Sequence, residues 1–147
     1  MTSVKESPYY KDAIQEINYP FGDYYLFENF VVAEVKEDIV FNWKDHAKQV
    51  VEELTNLYDH NGKEVVYISN RVNNYSVVPS DWIHFFKFSY SLKGYAVVTQ
   101  KKGKSWSNSL LEKMFMRNQM QTFLDLDDAI EWANELGNKP KKYRSVI

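Results

Sequence analysis

The chain contains no cysteine. This absence excludes disulfide bonds, thiolate metal sites and cysteine nucleophiles, and it fits the reducing interior of a cell. Glycine is also scarce, with 5 residues in 147, and no glycine-rich motif of the kind that cradles phosphate groups is present. We therefore expect a cytoplasmic protein that has no nucleotide-binding loop.

Long apolar runs and an excess of one charge are missing as well. No run reaches the roughly 20 apolar residues that a membrane-spanning helix requires, and the first residues lack the apolar core of a signal peptide. The formal net charge is −2, which does not favour a nucleic acid as partner. We expect neither a transmembrane segment nor nucleic-acid binding.

Recognisable catalytic and metal-binding patterns are absent too. The three histidines, His46, His60 and His84, have no metal-ligand spacing. There is no nucleophile motif, and the carboxylates are scattered over predicted helix surfaces without a partner that would make an acid/base pair. We expect no metal, no cofactor and no enzymatic activity.

Aromatic residues, in contrast, are abundant and make up 16% of the chain. They favour either a bulky core or an aromatic contact surface, since aromatic side chains bury large areas in both.

The pattern of apolar residues predicts alternating strands and helices after an initial hairpin. Residues 1–12 are polar and are predicted to form a flexible arm, and residues 14–19 are a candidate edge strand. Two strands joined by a turn form the predicted hairpin, and strands and helices follow in alternation. The predicted hairpin strands are residues 23–27 and 30–35, the later strands 64–69, 95–99 and 120–123, and the helices 42–58, 79–90, 105–116 and 126–136.

This order predicts an α/β fold with a single mixed β-sheet, an N-terminal antiparallel hairpin and covering helices, β-β-α-β-α-β-α-β-α. Parallel strands joined by right-handed helical crossovers give such a sheet. One domain over residues 13–137 is expected, followed by a basic tail at 138–147. The residues predicted to form the core are Val50, Leu54, Val66, Ile68, Val97 and Ile130.

Each long helix carries an apolar stripe that should face the sheet. In the helix over 42–58 the stripe includes Val50 and Leu54, and Asn42 is the predicted N-cap. In the helix over 105–116 the apolar residues, and hence the predicted inward face, are Trp106, Leu110, Leu111, Met114 and Phe115.

The junction after the central strand is the first candidate site, because ligands of open α/β sheets bind where a strand ends and the next helix begins. A polar loop follows the strand, and we expect it to bind a protein partner or an anionic group at the surface. Substitutions such as Arg71→Ala and Ser76→Glu should then leave folding nearly intact. The candidate residues are Arg71, Asn73, Asn74, Tyr75 and Ser76.

Two other segments are candidate contact sites. The helix over 79–90 is apolar on nearly all sides, so part of it should pack against a small apolar ligand or a second copy of the protein through Trp82, Phe85 and Phe86. A basic turn containing Lys101, Lys102 and Lys104 precedes another helix, whose free amide groups attract anions.

Three stretches of the sequence resemble the STAS/SpoIIAA-like family, close to its SEC14-type branch. They are the hairpin and amphipathic helix over 30–58, the loop Asn-Arg-Val-Asn-Asn-Tyr-Ser-Val-Val-Pro at 70–79, and the ending Phe-Leu-Asp-Leu-Asp-Asp-Ala-Ile-Glu-Trp at 123–132. The resemblance implies a SpoIIAA/STAS-like fold and a regulatory or binding module. Some STAS domains are phosphorylated on a serine in an Asp-Ser-Gly context, which this chain lacks near Ser69, Ser76 and Ser80.

Two functions therefore stay open, with an enzyme of unrecognised type as the remaining alternative. The first is a non-enzymatic regulatory domain that binds a protein partner through the loop after the central strand, with a homodimer as a further candidate. The second is a carrier or sensor of a small apolar or lipid-like ligand held against the aromatic helix.

Overall fold

The structure is a computed structural model that describes residues 1–138. The predicted basic tail lies, from residue 139 onward, outside the described residues.

Six strands form the main sheet of the described chain, and two short strands form a second one. The strands are β1 (Gln15–Tyr19), β2 (Gly22–Leu26), β3 (Phe30–Val35), β4 (Val40–Phe41), β5 (Val66–Asn70), β6 (Ser76–Val77), β7 (Gly94–Val98) and β8 (Met120–Phe123). The main sheet has the order β1-β2-β3-β5-β7-β8, and β4 pairs with β6. β1 to β3 are antiparallel, whereas β3, β5, β7 and β8 are parallel to one another.

Helices connect and cover the parallel strands. Within residues 1–138 the α-helices are α1 (Lys48–Leu57), α2 (Trp82–Lys87), α3 (Gly103–Lys113) and α4 (Leu126–Asn138). A π-helical turn, Trp43–Ala47, leads into α1, and the Asn42 side chain caps it by accepting a hydrogen bond from the Asp45 amide. A 3₁₀ turn, Pro79–Asp81, leads into α2. Both helices are therefore shorter than predicted, and irregular turns fill the difference.

The mixed sheet, its antiparallel start and the covering helices confirm the α/β class predicted from the sequence. The candidate edge strand is present as β1. Two short strands were not predicted. β4 follows β3, β6 follows β5, and the two pair with each other in parallel.

Both faces of the sheet are covered, which explains the unbroken apolar run of β5. On one face α4 packs on β3, β5, β7 and β8. On the other face α1 and α2 contribute apolar side chains to two further clusters. The six predicted core residues are all buried: Val50, Leu54, Val66, Ile68, Val97 and Ile130.

The N-terminal segment contradicts the prediction of a loose arm. Val4 is fully buried and belongs to the cluster under α4. Its amide donates a hydrogen bond of 2.8 Å to the buried Glu34 carboxylate, which also accepts one from Asn70 Nδ2. The polar composition of residues 1–12 could not reveal this docking, because it depends on one apolar side chain and one distant carboxylate.

We expect the Glu34→Gln variant to gain stability relative to the wild type as pH rises from roughly 4 to 7. Burial raises the pKa of the Glu34 carboxyl, although its hydrogen bonds with Val4 and Asn70 oppose the shift. The native state therefore holds this proton more tightly than the unfolded chain, and wild-type stability is lost as pH rises through the raised pKa. Denaturant unfolding at several pH values measures the difference.

Glu131→Gln is the control for this experiment, because it removes an exposed carboxylate from α4 and changes the net charge equally. Equal pH dependence in the two variants would contradict the assignment to Glu34.

Candidate functional site

The structure separates the five predicted loop residues into an interior pair and a surface group. Arg71 and Tyr75 are each only 3% exposed, so their predicted place at the surface is wrong. Asn73 and Ser76 are half-buried, and Asn74 is exposed. Asn73 Nδ2 donates a hydrogen bond to the Val35 carbonyl of β3 at 3.0 Å, and Ser76 is the first residue of β6. These two contacts hold the loop against the neighbouring strands.

Arg71 forms a fully buried ion pair with Glu112 of α3. Its guanidinium also donates hydrogen bonds to the Ser69 hydroxyl, the Ser105 carbonyl, the Asn108 side chain and the Tyr95 hydroxyl. Burial alone would lower the pKa of the guanidinium, but the neighbouring Glu112 carboxylate raises it well above its usual value. Arg71 therefore stays charged inside the protein.

Both oxygens of the Glu112 carboxylate also accept hydrogen bonds. Its Oε1 accepts hydrogen bonds from Trp82 Nε1 at 3.1 Å and from the Tyr95 hydroxyl at 2.7 Å, while Oε2 meets Arg71. The pair thus joins α3, α2 and β7. Its donors and acceptors are occupied, as buried charges require, so it supplies no free cation for an anionic partner.

This network reverses the predicted orientation of α3. The buried side chains of the helix are polar: Asn108, Ser109 and Glu112. Leu110, Leu111 and Met114 are 49%, 51% and 75% exposed, so the prediction that they face inward is wrong. The side of the helix that meets Arg71 must carry hydrogen-bonding groups, and this requirement outweighs the usual preference for an apolar inner face.

A cavity of about 90 Å³ lies between the sheet and the two helices α1 and α2. Most of its wall is aliphatic or aromatic. Representative side chains are Val31, Val50, Leu54, Tyr67, Phe85 and Tyr95. Well-packed interiors contain few voids larger than a water molecule, so a space of this size is unusual beside a sheet and makes the region a candidate site.

The aromatic helix supplies two of its three candidate contact residues to the cavity wall. Trp82 and Phe85 line it. Phe86 lies outside the wall and is covered by the Arg117 guanidinium, 5.1 Å from its ring centre. Trp82 also hydrogen-bonds to Glu112, so the indole connects the cavity wall to the buried ion pair.

The basic turn is exposed on the surface. Lys102 and Lys104 border a shallow depression together with Asn73 and Asn74, whereas Lys101 does not. Arg71 reaches the same depression, but Glu112 already balances its charge. Anion binding by these lysines stays a prediction.

Tyr67, Tyr95 and Glu112 are site residues that the sequence reading missed. A signal exists for two of them, Tyr67 and Glu112. In β5 the side chains alternate, so Tyr67 lies on the face opposite Ile68, together with the polar Ser69. For Glu112 the signal is the polar set Asn108, Ser109 and Glu112, which recurs at helical spacing. An apolar stripe on the same helix concealed it.

Comparisons with protein-family models, curated proteins and solved structures gave no significant match. The resemblance to the STAS/SpoIIAA-like family therefore stays a prediction. In the described part of the chain, no helix has both the length and the apolar character needed to cross a bilayer. Residues 1–138 also hold no group of three or more His, Asp and Glu side chains that could ligate a metal ion.

Proposed function

We propose that the protein binds a small apolar molecule in the cavity between the sheet and helices α1 and α2. The observation that carries this proposal is the void itself, about 90 Å³ with a mostly apolar wall. The cavity is partly open to solvent and its wall is mostly apolar. A bound apolar molecule therefore removes apolar surface from water, which is worth about 25 cal/mol per Å².

The size of the cavity limits the ligand. An apolar cavity of about 150 Å³ admits benzene. This smaller, partly open cavity of about 90 Å³ suits a compact molecule of up to about six heavy atoms, part of which lies at the opening, or the end of a longer chain. Very small ligands gain at most about 1.5 kcal/mol per heavy atom, so we expect an affinity no tighter than about micromolar.

The alternative is a regulatory domain that binds a protein partner through the loop after β5. Three of its five candidate residues keep exposed surface: Asn73, Asn74 and Ser76. The burial of Arg71 and Tyr75 removes the charged and aromatic groups on which that surface depended. Apolar side chains are exposed just after the C-terminal ends of α2 and α3, Phe88 and Met114, and they favour some association. A homodimer stays a prediction.

Filling the cavity should abolish binding without unfolding the protein. Ala47 lies on the cavity wall at the end of the π-helical turn, and Ala47→Leu adds three carbon atoms there. We expect xenon and cyclopentane to shift the NMR signals of the Val31 and Val50 methyl groups in the wild type but not in Ala47→Leu.

The matched control is Gln49→Leu, which adds an apolar side chain at an exposed position two residues away. It should bind both probes like the wild type. Absence of any shift in the wild type with either probe would overturn the proposed function.

A further inference from the structure

Tyr67 is only partly buried, whereas the other four residues of β5 are buried. It stands in the middle of the sheet, paired with Val31 of β3 and Tyr95 of β7. Strands on both sides block access within the plane of the sheet, and Tyr67 lines the cavity. The accessible part of its side chain therefore faces the cavity.

A count of hydrogens shows that the Tyr67 hydroxyl has a proton to donate. The Tyr24 and Tyr67 hydroxyl oxygens lie 2.9 Å apart, and either one could be the donor. Each hydroxyl has one hydrogen, and a single contact uses only one of the two. Among the described residues, neither hydroxyl has another hydrogen-bond partner, so one hydrogen of the pair has no protein acceptor.

The unused hydrogen belongs to Tyr67. Tyr24 is completely buried and lies outside the cavity wall, so its hydrogen would be enclosed without an acceptor if Tyr67 were the donor. An enclosed, unsatisfied donor is costly, and Tyr24 therefore donates to Tyr67. Burial raises the pKa of both phenols, so both hydroxyl groups keep their hydrogens.

Other polar side chains deep in the wall are already hydrogen-bonded. Tyr95 donates to Glu112 and accepts from Arg71, and Ser69 accepts from Arg71 and is bonded to Tyr75. One hydrogen of the Ser69–Tyr75 pair is likewise unused, but these two residues are only 2% and 3% exposed, so Tyr67 is the more accessible donor. No unpaired cation borders the cavity in residues 1–138, and the Asp81 carboxylate on the wall accepts the Trp43 amide at 2.7 Å.

We infer that the ligand is a neutral, mostly apolar molecule with one acceptor oxygen, such as a small ketone, aldehyde, ester or ether, which accepts the Tyr67 hydroxyl hydrogen. This inference rests on the proposed function and narrows its ligand class. A carboxylate would lack a counter-charge and would face Asp81, so anionic ligands are excluded. A hydrocarbon would fill the space but leave the Tyr67 hydrogen unsatisfied.

Two probes with the same five-membered ring test the inference, cyclopentane and cyclopentanone. Their affinities are measured by NMR titration of the wild type, Tyr67→Phe, Tyr24→Phe and the control Tyr19→Phe, which alters a buried tyrosine of β1 outside the cavity wall. Melting curves confirm that each variant is folded.

We expect Tyr67→Phe to weaken cyclopentanone binding about tenfold, the effect of losing one hydrogen bond, and to leave cyclopentane binding unchanged. Tyr24→Phe should retain ketone binding, because Tyr67 keeps its hydrogen. In the wild type the infrared carbonyl band of bound cyclopentanone should move to lower wavenumber. This measurement tests the hydrogen bond even if a variant fails to fold.

Other outcomes overturn the inference. Equal weakening of both probes by Tyr67→Phe would show a packing effect, and ketone binding that becomes much tighter in Tyr24→Phe would show that Tyr67 donates to Tyr24 in the wild type. An unshifted carbonyl band would mean that water satisfies Tyr67. If neither xenon nor cyclopentane binds the wild type, the proposed function fails, whereas cyclopentane binding without ketone selectivity removes only this inference.

Discussion

Arg71→Met is expected to lower the free energy of unfolding by about 3–5 kcal/mol, because it leaves the Glu112 carboxylate buried without its cation. Both side chains of the pair are fully buried. Glu112→Leu should cost a similar amount for the complementary reason. The sequence had suggested that Arg71→Ala would leave folding nearly intact, because it placed Arg71 at the surface. The buried position predicts a large loss of stability instead.

The double variant Arg71→Met/Glu112→Leu should lose much less than the sum of the two single changes, since replacing both charges leaves no unpaired ion. Urea unfolding of the wild type, the two single variants and the double variant gives the four free energies of this double-mutant cycle. Lys104→Met, which removes an exposed cation at the start of α3, is the control and should change stability by less than about 0.5 kcal/mol. A loss below about 1 kcal/mol for Arg71→Met would contradict the buried pair.

Ile130→Ala is expected to cost about 2–5 kcal/mol through lost transfer energy and a residual cavity. Ile130 is 2% exposed on α4 and belongs to the cluster that joins this helix to Val32 and Ile68. The matched change on another helix is Leu111→Ala, where the side chain is half-exposed. It should cost less than about 1 kcal/mol.

Thermal and urea unfolding of these two variants test which face of each helix is inside. Equal losses would mean that the apolar side of α3 is buried after all. A small loss for Ile130→Ala would mean that the contact between α4 and the sheet has been misassigned.

Local patterns account for much of the fold. The unbroken apolar run at β5 predicts a strand buried on both faces, and the structure has α4 on one face and α1 and α2 on the other. The stripe of α1 predicts the burial of Val50 and Leu54. Asn42 caps the first helical turn because its side chain accepts the Asp45 amide. Each of these features depends on residues that are close in sequence.

The candidate site depends on pairs that are distant in sequence. Arg71 and Glu112 are 41 positions apart, and Tyr24 and Tyr67 are 43 apart. The sequence shows only an arginine in a polar loop and a glutamate in a helix. Nothing in the neighbouring residues tells whether the two side chains form a buried ion pair or remain in water. The apolar residues of α3 therefore indicated the wrong inner face.

The sequence by itself determined the alternation of strands and helices and the apolar core positions, because side-chain periodicity follows directly from strand and helix geometry. Only the tertiary structure decided that α3 turns its polar side inward, that Val4 docks beside Glu34, and that Tyr67 faces a cavity. The physical reason is that the burial of a side chain and its hydrogen-bond partners depend on which other helix or strand packs against its own element. Helix periodicity gives the spacing along one element, whereas the partner across the interface decides which face is buried.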